Sequence, residues 1–126
     1  MKEAMSLEKI VLEASGKVAA VIHVSKVYAP LNSARLLNML PLHTRLFFYG
    51  NEIAYLTFRG ALLVEKPSPN ISKGDFFYWI QRRVLGIALK DITLTGRASI
   101  IGKVEESSLE NLKKLRAGTP AVLRKA

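Results

Sequence analysis

The chain has 126 residues, 49% of them hydrophobic and 23% charged, which is the balance of one domain with a buried core and too little chain for two. Cysteine is absent, so a disulfide scaffold and thiolate metal sites are excluded, and a reducing, cytoplasmic setting is expected. The formal charge of +9 is dispersed, as +3 over residues 1–60, +2 over 61–96 and +4 over 97–126. Such spreading fits a basic, soluble surface that meets nucleic acid only nonspecifically.

The start, Met1-Lys2-Glu3-Ala4-Met5, carries an acid and no apolar run follows it. A secretory signal is therefore not expected. Met5 is a second candidate start, with residues 1–6 a disordered tail of a single domain spanning 1–126. No stretch reaches the ~20 apolar residues of a membrane span, so no membrane partner is expected.

The first unit is a hairpin. Glu8 to Ala14 alternates, with Ile10, Leu12 and Ala14 on one face, and Ser15-Gly16 supplies the turn. Lys17 to Ser25 returns, with Val18, Ala20, Ile22 and Val24 sharing a face. Pro30 suits the first position of a helix. Asn32 to Leu40 reads as that helix, on Ala34, Leu37 and Leu40, and Pro41 ends it. His43 to Tyr49 and Ile53 to Phe58 are two strands around a Gly50-Asn51 turn. Glu65 to Gly74 contains Pro67 and Pro69 and reads as a loop. Asp75 to Ile80, Val84 to Leu89 and Ala98 to Val104 are three more strands. About seven close-spaced strands predict a sandwich or a barrel.

A second helix follows. Ser107 and Glu110 have capping-box spacing, Leu109, Leu112 and Leu115 form its apolar stripe, and Gly118 is placed for a left-handed C-cap. Lys113, Lys114 and Arg116 complement the dipole at its end. Pro120 to Arg124 is the last predicted strand.

The order of these elements resembles the cyclophilins. Gly16 to Ile22, then Pro30 and Ser33-Ala34, is similar to their opening strand and helix. Ile100 to Glu106, then Leu109 to Leu115 and Gly118, is similar to their late strand and closing helix. Nearly the whole chain more closely resembles a small prokaryotic cyclophilin-like family of unknown function, through Gly50-Asn51-Glu52-Ile53 and Gly74-Asp75-Phe76-Phe77-Tyr78-Trp79. The resemblance implies a mostly-β fold, a closed barrel of about eight strands capped by two helices. The chain departs from that family at Ile80-Gln81-Arg82-Arg83, where Pro-Pro-Gly is usual. It departs again at Ala88-Leu89-Lys90, where Phe-Phe-Gly is usual.

Prolyl isomerases of this fold use an arginine to weaken amide resonance, lowering a rotation barrier of ~20 kcal/mol. His43-Thr44-Arg45 echoes their Phe-His-Arg with one residue inserted, so Arg45 is the best catalytic candidate. Their Phe-Met-Gln-Gly stretch is absent, and their late-strand histidine falls at Ala98. Activity is thus expected to be absent or weak. His23 and His43 carry no metal-site spacing, and no metal or cofactor is expected. Asp75 and Asp91 are an acid/base pair only if the fold brings them together.

Nine of the ten aromatics fall between residues 47 and 79. Alternation sends Phe76 and Tyr78 to one face and Phe77 and Trp79 to the other. The outer set, with Arg45, predicts a ligand groove of Arg45, Phe47, Tyr49, Tyr55, Phe77 and Trp79. Arg82-Arg83, directly after it, would permit an anion or single-stranded nucleic acid to bind. The expected function is a non-catalytic or weakly catalytic module holding a peptide or small molecule. Peptidyl-prolyl isomerase and nucleic-acid-binding barrel are the alternatives. Strands apolar on both faces also predict a homodimer or larger homo-oligomer, joined through barrel strands.

Overall fold

A computed structural model describes residues 7–126; the predicted N-terminal tail lies outside them. The strands are β1 Leu7–Ala14, β2 Lys17–Ser25, β3 Leu42–Tyr49, β4 Ile53–Leu56, β5 Ser68–Ile71, β6 Asp75–Trp79, β7 Val84–Ala88, β8 Ile92–Val104 and β9 Thr119–Lys125. The helices are α1 Pro30–Met39 and α2 Glu106–Lys113. Eight strands close into an antiparallel barrel in the order β1, β2, β8, β6, β7, β4, β3, β9 and back to β1. β5 pairs with β8 alone, outside the ring.

The barrel interior follows from period-two alternation. Ile10, Leu12, Ile22, Val24, Leu46, Leu56, Phe76, Leu85, Ile87, Ile101 and Leu123 are all buried in one cluster. Leu36 of α1 and Leu109 and Leu112 of α2 join it as mouth plugs. Ser15 and Gly16 both take positive φ (54° and 74°), the paired left-handed turn that matches hairpin twist.

Closure occurs where β2 meets β8 over only three registered pairs, Ile22–Val104, His23–Lys103 and Val24–Gly102. At Gly102 the backbone passes so close that a Cβ would overlap the His23 carbonyl oxygen. Beyond β8 the seam is continued by other groups. The Glu105 amide donates to the Val21 carbonyl (2.9 Å), the Val21 amide donates to Ser108 Oγ (2.9 Å), and His23 Nε2 pairs with Glu105 (2.9 Å).

Four sequence expectations are corrected. Helix α2 starts at Glu106, so Ser107 lies inside it and the expected capping box does not form; no side chain caps its N-terminus. Gly118 is left-handed (φ 87°) but sits in the turn into β9, donating its amide to the Leu46 carbonyl at 2.7 Å. The loop expected over 65–74 contains β5, an edge strand that tolerates Pro69 because the register shifts there. β8 begins at Ile92 rather than Ala98, and this extra half-strand builds the site below.

Candidate functional site

Helix α1 has no cap of its own, with alanine at the N-cap position. The Glu65 carboxylate supplies one instead, accepting from the Leu31 (3.1 Å) and Asn32 (2.7 Å) amides. The buried Asn32 side chain pairs with both backbone groups of Leu63. These bonds pin the segment before β5 to the barrel, and a bond from the Glu65 amide to Ser99 Oγ (2.9 Å) ties it to β8.

The result is a second apolar layer outside the barrel. Phe77, Trp79, Val84 and Ala88 on the outer faces of β6 and β7, with Ile53, pack against Ile71, Leu94 and Ala98. Phe77 is fully buried there, in space that Gly86 leaves open; a Cβ at Gly86 would lie 2.5 Å from the Phe77 ring.

The turn Ile80–Arg83 projects from the edge of this layer. It is closed by the Arg83 amide on the Trp79 carbonyl (2.8 Å), with Arg83 left-handed (φ 54°). It is docked on β8 by Gln81 Oε1, which accepts from the Arg97 amide (3.0 Å), and by the Ile80 amide on the Arg97 carbonyl (3.2 Å). Gly96, with φ 127°, leaves the space Gln81 needs. Anchored this way, Arg82 lies over two aromatic rings, its guanidinium carbon 4.8 Å from the centroid of Tyr49 and 4.8 Å from that of Trp79. The two rings meet edge to face at 5.5 Å.

Beside this stack is a cavity of about 620 Å³ lined by Tyr49, Glu52, Trp79, Arg82, Leu94 and neighbours on β8. Trp79 is 5% exposed. Its Nε1 is the one buried side-chain polar atom among the described residues that has no hydrogen-bond partner. A cavity of similar size, about 610 Å³, opens by Phe48, Leu89, Lys113 and Leu115, without any such orphaned group.

The six residues named from sequence divide. Tyr49 and Trp79 are in contact and line the cavity. Phe47 and Tyr55 stack on each other at 5.7 Å on the β3–β4 surface. Phe77 is sealed in the outer layer, and Arg45 Nη1 donates to the Gly118 carbonyl at 2.8 Å. Reasoning from sequence left Glu52 and the β8 residues Leu94 and Thr95 out of the groove, and set Arg82 beside it. The signal for Arg82 is the basic pair standing where the resembled family has Pro-Pro-Gly.

Other candidates take structural roles. Asp75 Oδ2 accepts from the Ser72 amide (2.8 Å), Asp91 from the Lys73 amide (2.7 Å), and Asp75 also pairs with Lys103. His23 pairs with Glu105, whereas His43 lies on β3 by the cavity of Met39 and Phe58. No cluster of metal-ligating side chains occurs among the described residues. No helix among them is long and apolar enough to cross a membrane.

With barrel, caps and cavity defined, comparison with known proteins places the fold. The cyclophilin-like family model matches residues 25–123. The chain belongs to the cyclophilin-like family. The solution structure of a hypothetical protein from Archaeoglobus fulgidus is similar over 96% of both chains, with 19% identity and a TM-score of 0.76. The structure of McbB in complex with tryptophan is similar over 92% of this chain, with 14% identity and a TM-score of 0.69. This chain spans 44% of McbB. At these identities the likeness is one of fold. No curated protein matches the sequence.

Proposed function

We propose that this cyclophilin-like domain is a binding module that holds a small molecule with an anionic group and an apolar body in the cavity beside Trp79. The observation that carries the reading is Arg82, which lies over the Tyr49 and Trp79 rings and lines that cavity. Arg82 is held by the faces of two rings, and its guanidinium N–H groups make no hydrogen bond to another described residue. That leaves its fork free for a carboxylate or phosphate. Leu94 and Ile53 offer the apolar wall. The volume falls within the ~300–1,000 Å³ usual for small-molecule sites. McbB, of which this chain matches 44%, was solved in complex with tryptophan.

Trp79 is the only tryptophan in the chain, so its fluorescence reports on the cavity directly. Titration with 3-phenylpropionate should give a saturable change in emission. Arg82→Ala should weaken binding at least about tenfold, the loss of one charge-assisted contact, and Arg45→Ala should leave it unchanged. An absence of saturation, or equal affinity in Arg82→Ala, would reject the reading.

A further inference from the structure

We infer that the molecule bound beside Trp79 is zwitterionic, an α-amino acid with an apolar or aromatic side chain; this rests on that cavity being the binding site. The cavity has two charged lining residues, Arg82 and Glu52, of opposite sign. Neither forms an ion pair with the other or with another described residue. A site for a simple anion gains nothing from a carboxylate, which repels the ligand; a site for a simple cation gains nothing from an arginine. Both together complement one molecule bearing both charges.

The two charges are fixed by separate elements. Glu52 sits in the β3–β4 turn, where its amide donates to the Tyr49 carbonyl (3.3 Å) and its carbonyl accepts from the Leu89 amide (2.8 Å). Both backbone groups are thereby held, and Glu52 lines the cavity. Arg82 is fixed by the anchored turn and the two rings. Arg82 takes the ligand carboxylate. Glu52 takes the ammonium. Ile53 and Leu94 wall the space between, suiting an apolar or flat side chain.

The test uses matched probes on the full chain: L-phenylalanine, 3-phenylpropionate, which lacks the ammonium, and phenethylamine, which lacks the carboxylate. Wild type should bind phenylalanine more tightly than either fragment. Glu52→Gln should lose about tenfold to a hundredfold for phenylalanine, the range for a hydrogen bond to a charged group, while binding 3-phenylpropionate as well or better. Arg82→Ala should weaken both carboxylates and spare phenethylamine. If 3-phenylpropionate binds but Glu52→Gln leaves its ratio to phenylalanine unchanged, the zwitterion inference is overturned and the anion site survives. If no probe binds wild type, the binding site itself is refuted and this inference with it. A urea midpoint for each variant matching wild type shows that the changes are in binding and not in folding.

Discussion

Substituting Gly102 by alanine puts one methyl group into the barrel's closing seam. Its Cβ would overlap the His23 carbonyl oxygen and stand 2.9 Å from Val24 Cα and 3.0 Å from the His23 carbonyl carbon. Carbon atoms in good contact are about 3.5–4.0 Å apart, so β2 and β8 must separate by roughly 1 Å. Such a separation stretches an interstrand hydrogen bond of about 2.9 Å beyond its working range. The seam has three registered pairs in all, so the strain cannot be shared widely. Overpacking costs about 1–3 kcal/mol, and weakening two hydrogen bonds adds about 1–3 kcal/mol. The sum, about 2–6 kcal/mol, is a large share of the ~5–15 kcal/mol that domains have. Two controls isolate the cause. Gly86→Ala meets the end of the Phe77 ring at 2.5 Å; that ring can shift by more than a backbone can, so a smaller loss is expected. Gly16→Ala meets nothing within 4 Å and should cost only the left-handed backbone term of roughly 1–2 kcal/mol. Urea denaturation followed by tryptophan fluorescence should rank the midpoints Gly16→Ala, Gly86→Ala, Gly102→Ala from highest to lowest. A Gly102→Ala midpoint equal to that of Gly16→Ala would refute the seam as the tight point of closure.

Ser108→Ala should cost about 1–2 kcal/mol, because it strips the Val21 amide of its acceptor at a buried position. Ser107→Ala, exposed within the helix, should be close to neutral; reversed effects in denaturant midpoints would restore the capping box. In a protease-coupled assay on proline peptides, any isomerisation should be unchanged by Arg45→Ala, since that guanidinium is tied to Gly118. A rate that the substitution abolishes would promote isomerase activity over binding.

The barrel strands were legible because each buries one face, and period-two alternation marks it. Ile10, Leu12 and Ala14 of β1 read inward from sequence and are 0%, 0% and 4% exposed. The site was less legible because the outer layer breaks the signals used to find strands. Ile92-Thr93-Leu94-Thr95 alternates, but Gly96 follows with positive φ and separates it from the plainer run at Ala98. Pro67 and Pro69 disguise β5, whose sole strand partner is β8. The cavity depends on both. Without β8's first half, Trp79 looks like an exposed groove residue; with it, Trp79 is buried and its N–H is left unpartnered. Glu52 could not be drawn into the site from sequence, since the twist of four strands brings its turn beside the turn after β6.

The same outer layer changes the argument about assembly. A homo-oligomer was expected because strands such as β6 and β7 are apolar on both faces, and a barrel strand has one inward face. In the structure the outward set is covered by the chain itself. Phe77 is 0% and Trp79 5% exposed under Ile71, Leu94 and Ala98. On β2, Ala19 is buried as well. What remains exposed and apolar near one barrel mouth is Val27, Tyr28, Leu31 and Val64, gathered by the Glu65 bonds to α1 and by Lys66 Nζ on the Val27 carbonyl (3.1 Å). Four half-exposed side chains present a few hundred Å², within the range of the largest patch on ordinary monomers. A stable dimer needs about 800 Å² from each partner. Lys26, Arg35 and Lys66 stand nearby in sequence and fold, and two copies facing each other would set like charges together. The expected result of sedimentation at micromolar concentration is therefore a monomer. A dimer that Leu31→Lys dissociates would show that this patch outweighs its charged surroundings; a dimer indifferent to that change would place the interface on barrel strands, as the sequence pattern first implied.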